Sequence, residues 1–224
     1  MLFRSIVIVD LNLKGKLILV VGGGNEAEKR IKSLLNNKCQ IIVLSKKCNT
    51  KISQWSKNKK IKIIEKDFEN EKILTEIKPD LIITTTSDKK INKKIIDFAK
   101  IKKIIAYSSD NPEESDFTNP AIIDIEKIIQ IAIFTGGRSP AMSKKIKEKS
   151  EQAIRKIITK QDIDKIKLQK ILREKAKSII PAHNSRKAFL THIMAKKSID
   201  QLIKAGDIKK AENEAMKIMR EWNE

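Results

Sequence analysis

The stretch Leu17–Leu35, LILVVGGGNEAEKRIKSLL, governs the reading of the whole chain. Leu17 to Val21 are apolar without a break, the pattern of a strand buried on both faces. Gly22, Gly23 and Gly24 follow. Ala27, Ile31, Leu34 and Leu35 then recur at the spacing of one helical face. Strand, glycine turn and helix come in the order that brings a helix N-terminus close to a phosphate. Gly22, Gly24 and Ala27 meet the pattern G-x-G-x-x-G/A. The three glycines are therefore candidate dinucleotide contacts, and a turn built for packing alone is the bland alternative.

Working outward, Gln40–Leu44 reads as a second buried strand, which makes a βαβ unit of about thirty residues with parallel strands and a right-handed crossover. A nucleotide fold of this type usually carries Asp or Glu after that strand, for the ribose 2′-hydroxyl. Here the residues are Ser45, Lys46 and Lys47. That departure leaves NADP open beside NAD, since lysines suit a 2′-phosphate; two solvated loop lysines are the alternative. Upstream, Phe3–Val9 reads as a short apolar strand. Downstream, 50–58 and 68–77 read as helices around a strand at 61–64. The segment 80–83 reads as a strand ending in Thr84-Thr85-Thr86-Ser87-Asp88, and Ile91–Ala99 as the next helix. A hydroxyl such as Thr86 at a strand's carboxyl end suits ribose or phosphate, and equally suits a helix cap. Lys103–Tyr107 reads as a further strand, ending in Ser108-Ser109-Asp110-Asn111-Pro112, a strong turn sequence.

Beyond residue 112 the pattern changes. Asp116–Ile123 is extended, Ile128–Phe134 is a strongly apolar strand, and Thr135–Pro140 turns into a basic helix reaching about Ile158. From there the apolar residues keep helical spacing, punctuated by Pro181 and Gly206. The fold class expected is α/β: a Rossmann-type parallel sheet (1–112), a small mixed α/β dimerisation segment (113–150) and an α-helical C-terminal domain (151–224).

Composition sets outer limits. Hydrophobic residues make up 40% of the 224 and aromatics only 4%, so a globular core must be built from Ile, Leu and Val. No apolar run reaches membrane-spanning length. Cys39 and Cys48 form no metal or disulfide pattern, so no metal ligands are expected and a reducing cytoplasm fits. The charge of +20 invites a polyanionic partner: nucleic acid, anionic lipid or a multiply carboxylated small molecule. Lysines spread through nearly every segment also read as compositional drift, and no aromatics interleave with them as in single-strand binders.

Three motifs in order, VVGGGNEAEKR, SSDNPEESDFTNPAIID and FTGGRSPAMSKKIKEK, resemble the precorrin-2 dehydrogenase (siroheme synthase) family over most of residues 1–160. The helical tail resembles it only in length and helicity. The resemblance implies NAD-dependent oxidation of precorrin-2 to sirohydrochlorin. It places nucleotide contacts at Asn25, Glu26, Lys46 and Lys47 and the chemistry at Asp110. Thr135 loosely matches a family hydroxyl residue. The later motifs contribute Asn119, Arg138, Ser139 and Lys144 as substrate contacts.

The physical reading of Asp110 agrees: oxidation of a reduced tetrapyrrole releases a proton, and a carboxylate at a strand end near the cofactor can accept it. A ring bearing eight carboxylates gives Arg138 and Lys144 a use. A homodimer through Ile128–Phe134 is expected, because that strand would otherwise present an apolar edge. His183 and His192 read as surface histidines. Three alternatives stand beside this reading: the same enzyme with ferrous iron as second substrate in a chelatase step, a non-catalytic nucleotide-sensing domain, and a nucleic-acid binder. No membrane or nucleic-acid partner is expected on the main reading.

Overall fold

The computed structural model describes residues 7–222. The chain forms two compact units, the first running to Asn119 and taking in Gly136–Arg138, the second made of Pro120–Thr135 and the residues from Ser139 onward.

In the first unit five short strands, β1 (Leu17–Val21), β2 (Gln40–Leu44), β3 (Lys62–Ile64), β4 (Leu81–Thr84) and β5 (Ile105–Ser108), lie parallel in the order β3-β2-β1-β4-β5. The register aligns Val21 with Leu44 and Thr84, and Thr84 with Ser108, so these four strands end level on one edge. The chain winds outward from β1 to β3, then crosses back to β4. That reversal between β1 and β4 is the switch point at which open α/β sheets leave a crevice.

Side chains of β1 alternate between two layers. Ile18 and Val20 pack with Ala27, Ile31 and Leu34 of α1 (Asn25–Leu34) and with Ile52 and Trp55 of α2 (Thr50–Lys57). Leu19 and Val21 pack on the other face with Leu74 of α3 (Lys72–Ile77) and Ile95, Ile96 and Ala99 of α4 (Lys89–Lys102). Each such buried aliphatic side chain contributes about 1.5–3 kcal/mol relative to exposure.

Three expectations change. Val7, Ile8 and Val9 form no strand and are 79%, 67% and 71% exposed; residues 3–6 of that expected strand lie outside the described residues. The physical reason is that β1 already has a partner on each side, which closes it to a hairpin with the preceding segment. The helix expected over 68–77 begins at Lys72, because Asn70 Oδ1 accepts the Lys72 N–H and Phe68 turns into the core as a loop residue. The extended segment 116–123 becomes a strand only at Ala121.

In the second unit that strand, β6 (Ala121–Ile125), pairs antiparallel with β7 (Ile129–Ile133). The apolar strand read at 128–134 is thus half of a hairpin. Ile123 and Ile125 pack there with Ile154 of α5 (Pro140–Ile157) and with Ile163. α6 (Lys160–Ile179), α7 (His183–Ala195), α8 (Lys197–Lys204) and α9 (Ile208–Arg220) bury a separate core around Leu172, Phe189, Ile193, Ile203 and Ala215. Thr159 and Asp162 start α6 with a reciprocal capping box. Among the described residues no helix is long and apolar enough to cross a membrane.

Candidate functional site

The carboxyl edge of the first sheet carries the glycine turn. Gly22 has φ +113°, a conformation that L side chains rarely adopt, and a Cβ there would lie 2.6 Å from Thr85 Oγ1. A Cβ on Gly23 would lie 2.2 Å from the Lys47 carbonyl oxygen and 2.9 Å from Cys48 Sγ. These two glycines are required by close packing of the loops after β4 and β2. Gly24 differs: a Cβ there would meet nothing within 4 Å. It is the N-cap of α1 and supplies no side-chain cap, so the first-turn N–H groups of Asn25 and Glu26 face the turn without a side-chain acceptor. Open space over an uncapped helix N-terminus is the arrangement that accepts a phosphate, and the turn fits a dinucleotide's pyrophosphate.

The loop after β2 is built to hold this turn. Ser45 Oγ donates to the Lys47 carbonyl (2.8 Å), the group that abuts Gly23, and the Asn49 N–H donates to the Gly23 carbonyl (2.9 Å). Asn49 also caps α2 through Ile52 N–H and donates to Glu28 Oε2. Lys46 lies 3.7 Å from Asp67, and both are exposed. Glu26 pairs with Arg30 at 2.5 Å and with Lys29 at 3.3 Å. Arg30 in turn donates to the Tyr107 hydroxyl (2.8 Å) and stacks over its ring. Burial pushes the Tyr107 phenol up, with the Arg30 charge opposing, and Asn119 hydrogen-bonds the same residue.

Around Asp110 two chains of donors converge. Thr84 Oγ1 donates to Ser108 Oγ (3.0 Å), which donates to Asp110 Oδ1 (2.6 Å). Asn92 Nδ2 donates to the same Oδ1 (2.8 Å), while its own Oδ1 accepts from Thr86 Oγ1 (2.7 Å). Thr84, Asn92 and Ser108 are fully buried, whereas Asp110 is exposed. The carboxylate is therefore the terminal acceptor of a fixed network and is presented to solvent at the crevice edge. Thr86 serves this network through its hydroxyl, which also donates to the Asp88 carbonyl.

Gly22–Gly24, Asn25, Glu26, Ser45–Lys47, Thr86 and Asp110 thus all lie in loops or helix starts after the strand ends of one sheet. Ser139 and Lys144 belong to the second unit, and Arg138 is grouped with the first. Ser139 caps α5 by accepting the Met142 N–H, and Lys144 sits 3.8 Å from Glu148 on an exposed helix face. Thr135 Oγ1 donates to the Ser139 carbonyl. His183 and His192 are exposed, and the His192 ring packs near Trp222. Among the described residues no group of three or more His, Cys, Asp or Glu is placed to hold a metal ion. Of the hydroxyl run Thr84–Ser87 sequence reading carried forward only Thr86, and it missed the roles of Asn92 and Ser108. The available signal was Asn92, a polar residue on the apolar face of α4 between Ile91, Ile95 and Ile96.

A parallel sheet in the order 3-2-1-4-5, with an uncapped glycine turn at its switch point, defines a dinucleotide-binding domain of the Rossmann class. Residues 9–121 match the family described as "Putative NAD(P)-binding", and the chain belongs to that family. It is similar to the siroheme synthase of Vesicomyosocius okutanii, 32% identical over 146 residues, 65% of this chain and 30% of that protein. The siroheme synthase of Neisseria meningitidis serogroup C is 31% identical over 140 residues, 62% of this chain and 28% of that protein. Siroheme synthase 3 of Aeromonas hydrophila is 24% identical over 196 residues, 87% of this chain and 40% of that protein. The chain spans about a third of the length of these curated relatives. Among solved structures, the fold matches SirC, a precorrin-2 dehydrogenase, with a TM-score of 0.71 at 22% identity, over 95% of this chain and all of that one.

Proposed function

We propose that the chain oxidises precorrin-2 to sirohydrochlorin with NAD as acceptor. The observation that carries this reading is Asp110: an exposed carboxylate at the crevice edge, held on Oδ1 by Ser108 and Asn92, in a chain similar over 146 residues to a siroheme synthase. Bound NAD supplies a hydride acceptor. The protein does the rest. The N–H groups of Asn25 and Glu26 receive the pyrophosphate, and Gly24 keeps the approach clear.

Asp110 takes the proton that leaves the ring as the hydride departs. Donors converging on its carboxylate from two directions fix its position and need no reorganisation during the step. Arg138 and Lys144, with Asn119 and Ser139, are the groups we assign to the substrate's carboxylates. NAD is preferred to NADP because Lys46 is drawn toward Asp67 and Ser45 is bonded to its own loop, which leaves less to meet a 2′-phosphate. We assign the β6–β7 hairpin, whose outer edges are unpaired among the described residues, to the interface of a homodimer. Sedimentation should then give twice the 25.6 kDa chain mass.

The test is a pair of measurements on Asp110→Ala. Precorrin-2 turnover should fall at least a hundredfold, the scale of a lost general base, while NAD affinity stays within twofold. Unchanged turnover would remove Asp110 from its role.

A further inference from the structure

The second unit holds an open pocket of about 650 Å³ between α6 and α7, within the range of small-molecule sites. Arg173 and Lys177 stand one turn apart on α6. His183 and Lys187 stand one turn apart on α7, and Arg186 lies beside them; no acidic residue lines the pocket. The Arg173–Lys177 spacing sets like charges against each other along α6, an arrangement that destabilises the free protein.

Several other cations of this unit are held in ion pairs: Lys165 and Lys204 by Asp200, Lys175 by Glu212, Lys210 by Asp207. Arg186 is occupied by the Ile180 and Pro181 carbonyls. Among the described residues the side chains of Arg173, Lys177 and Lys187 make no ion pair or hydrogen bond. A second observation comes from the backbone. The N-cap of α7, Ala182, supplies no side-chain cap, and the first helical residue, His183, is part of the pocket wall, so the positive end of that helix adds to the same field. Leu190 and Met194 give the pocket an apolar wall.

We propose that this pocket binds a small organic polyanion: a molecule with several carboxylate or phosphate groups on a compact body. Arg173, Lys177 and Lys187 meet its charges and Leu190 and Met194 its body. A concave site with an apolar wall suits a compact ligand better than a nucleic-acid backbone, which follows a long basic stripe. The site lies wholly within the helical unit and does not depend on the reaction proposed above.

Calorimetric titration of the full chain, saturated with NAD and at about 0.15 M ionic strength, tests this with two probes. Benzenehexacarboxylate supplies carboxylates on an apolar ring, and inorganic tripolyphosphate supplies phosphates alone. At least one should saturate at one site per chain, and the better probe identifies the anion. The variant Arg173→Gln/Lys187→Gln should weaken it tenfold or more. Arg173→Lys/Lys187→Arg should stay within threefold, which shows that the pocket is folded and that charge is what is read. Lys209→Gln/Lys217→Gln removes the same charge from exposed positions on α9 and should change affinity less than twofold. Equal weakening in the α9 variant, saturation by neither probe, or binding only of a long oligonucleotide would overturn the proposal.

Discussion

A methyl group on Gly23 would collide with the backbone of the loop after β2, whereas one on Gly24 would enter open space. The two glycines therefore answer to different demands. Gly23→Ala should destabilise the fold by about 1–3 kcal/mol, the usual cost of overpacking, seen in the denaturation midpoint. Gly24→Val should cost less than about 1 kcal/mol as a poorer N-cap, yet weaken NAD binding tenfold or more by filling the approach to α1. Asn92 makes a third case: it is buried and bonded to both Asp110 and Thr86. Asn92→Ala leaves those partners short of a hydrogen bond, at about 1–3 kcal/mol, and should lower kcat more than it raises KM. At this scale the sequence was only partly legible. Glycine spacing exposed the turn, because close approach demands glycine. Thr84, Asn92 and Ser108 stayed hidden, because their roles come from strand register and from a helix face closing over it.

At the level of elements, continuous apolar runs made β1 and β2 readable to the residue, since a strand buried on both faces needs no polar alternation. The β6–β7 hairpin was harder to read. Its turn places Glu126 and Lys127 at φ +51° and +58°, closed by the Ile128 N–H on the Ile125 carbonyl. Hairpin turns with positive φ at two successive residues favour Asn-Gly, and Glu-Lys gives no such signal. The Asp124 carboxylate compensates by accepting the Lys127 N–H. Glu126→Asn/Lys127→Gly should relieve the left-handed strain and raise stability by about 1 kcal/mol, measured as a higher thermal midpoint. An unchanged midpoint would show that Asp124 already offsets the strain.

For the whole molecule, a formal charge of +20 makes acid the vulnerable direction, since every protonated carboxylate adds to the excess. Several aspartates are held below their ordinary value of 3.8. The Leu17 N–H and then Lys16 lower Asp80; Thr159, through its hydroxyl and then its N–H, lowers Asp162; and Lys165 and Lys204 lower Asp200. A carboxyl group whose folded value is depressed adds stability that is present above the unfolded value and is lost as pH falls through the folded one. The chain should therefore lose stability steadily as pH drops below about 4. Asp80→Asn should flatten that loss while lowering stability at neutral pH; an unchanged acid limb would show that the Leu17 and Lys16 contacts do not persist in solution.

The central claim joins a nucleotide held at Gly22–Gly24 to a proton acceptor at Asp110, acting on one reduced tetrapyrrole. Its most direct measurement follows NADH absorbance when the purified chain is mixed with precorrin-2 and NAD. The account predicts one NADH for each sirohydrochlorin formed, with turnover lost in Asp110→Ala and NAD binding retained. No reduced nucleotide from either NAD or NADP, with precorrin-2 left intact, would contradict it.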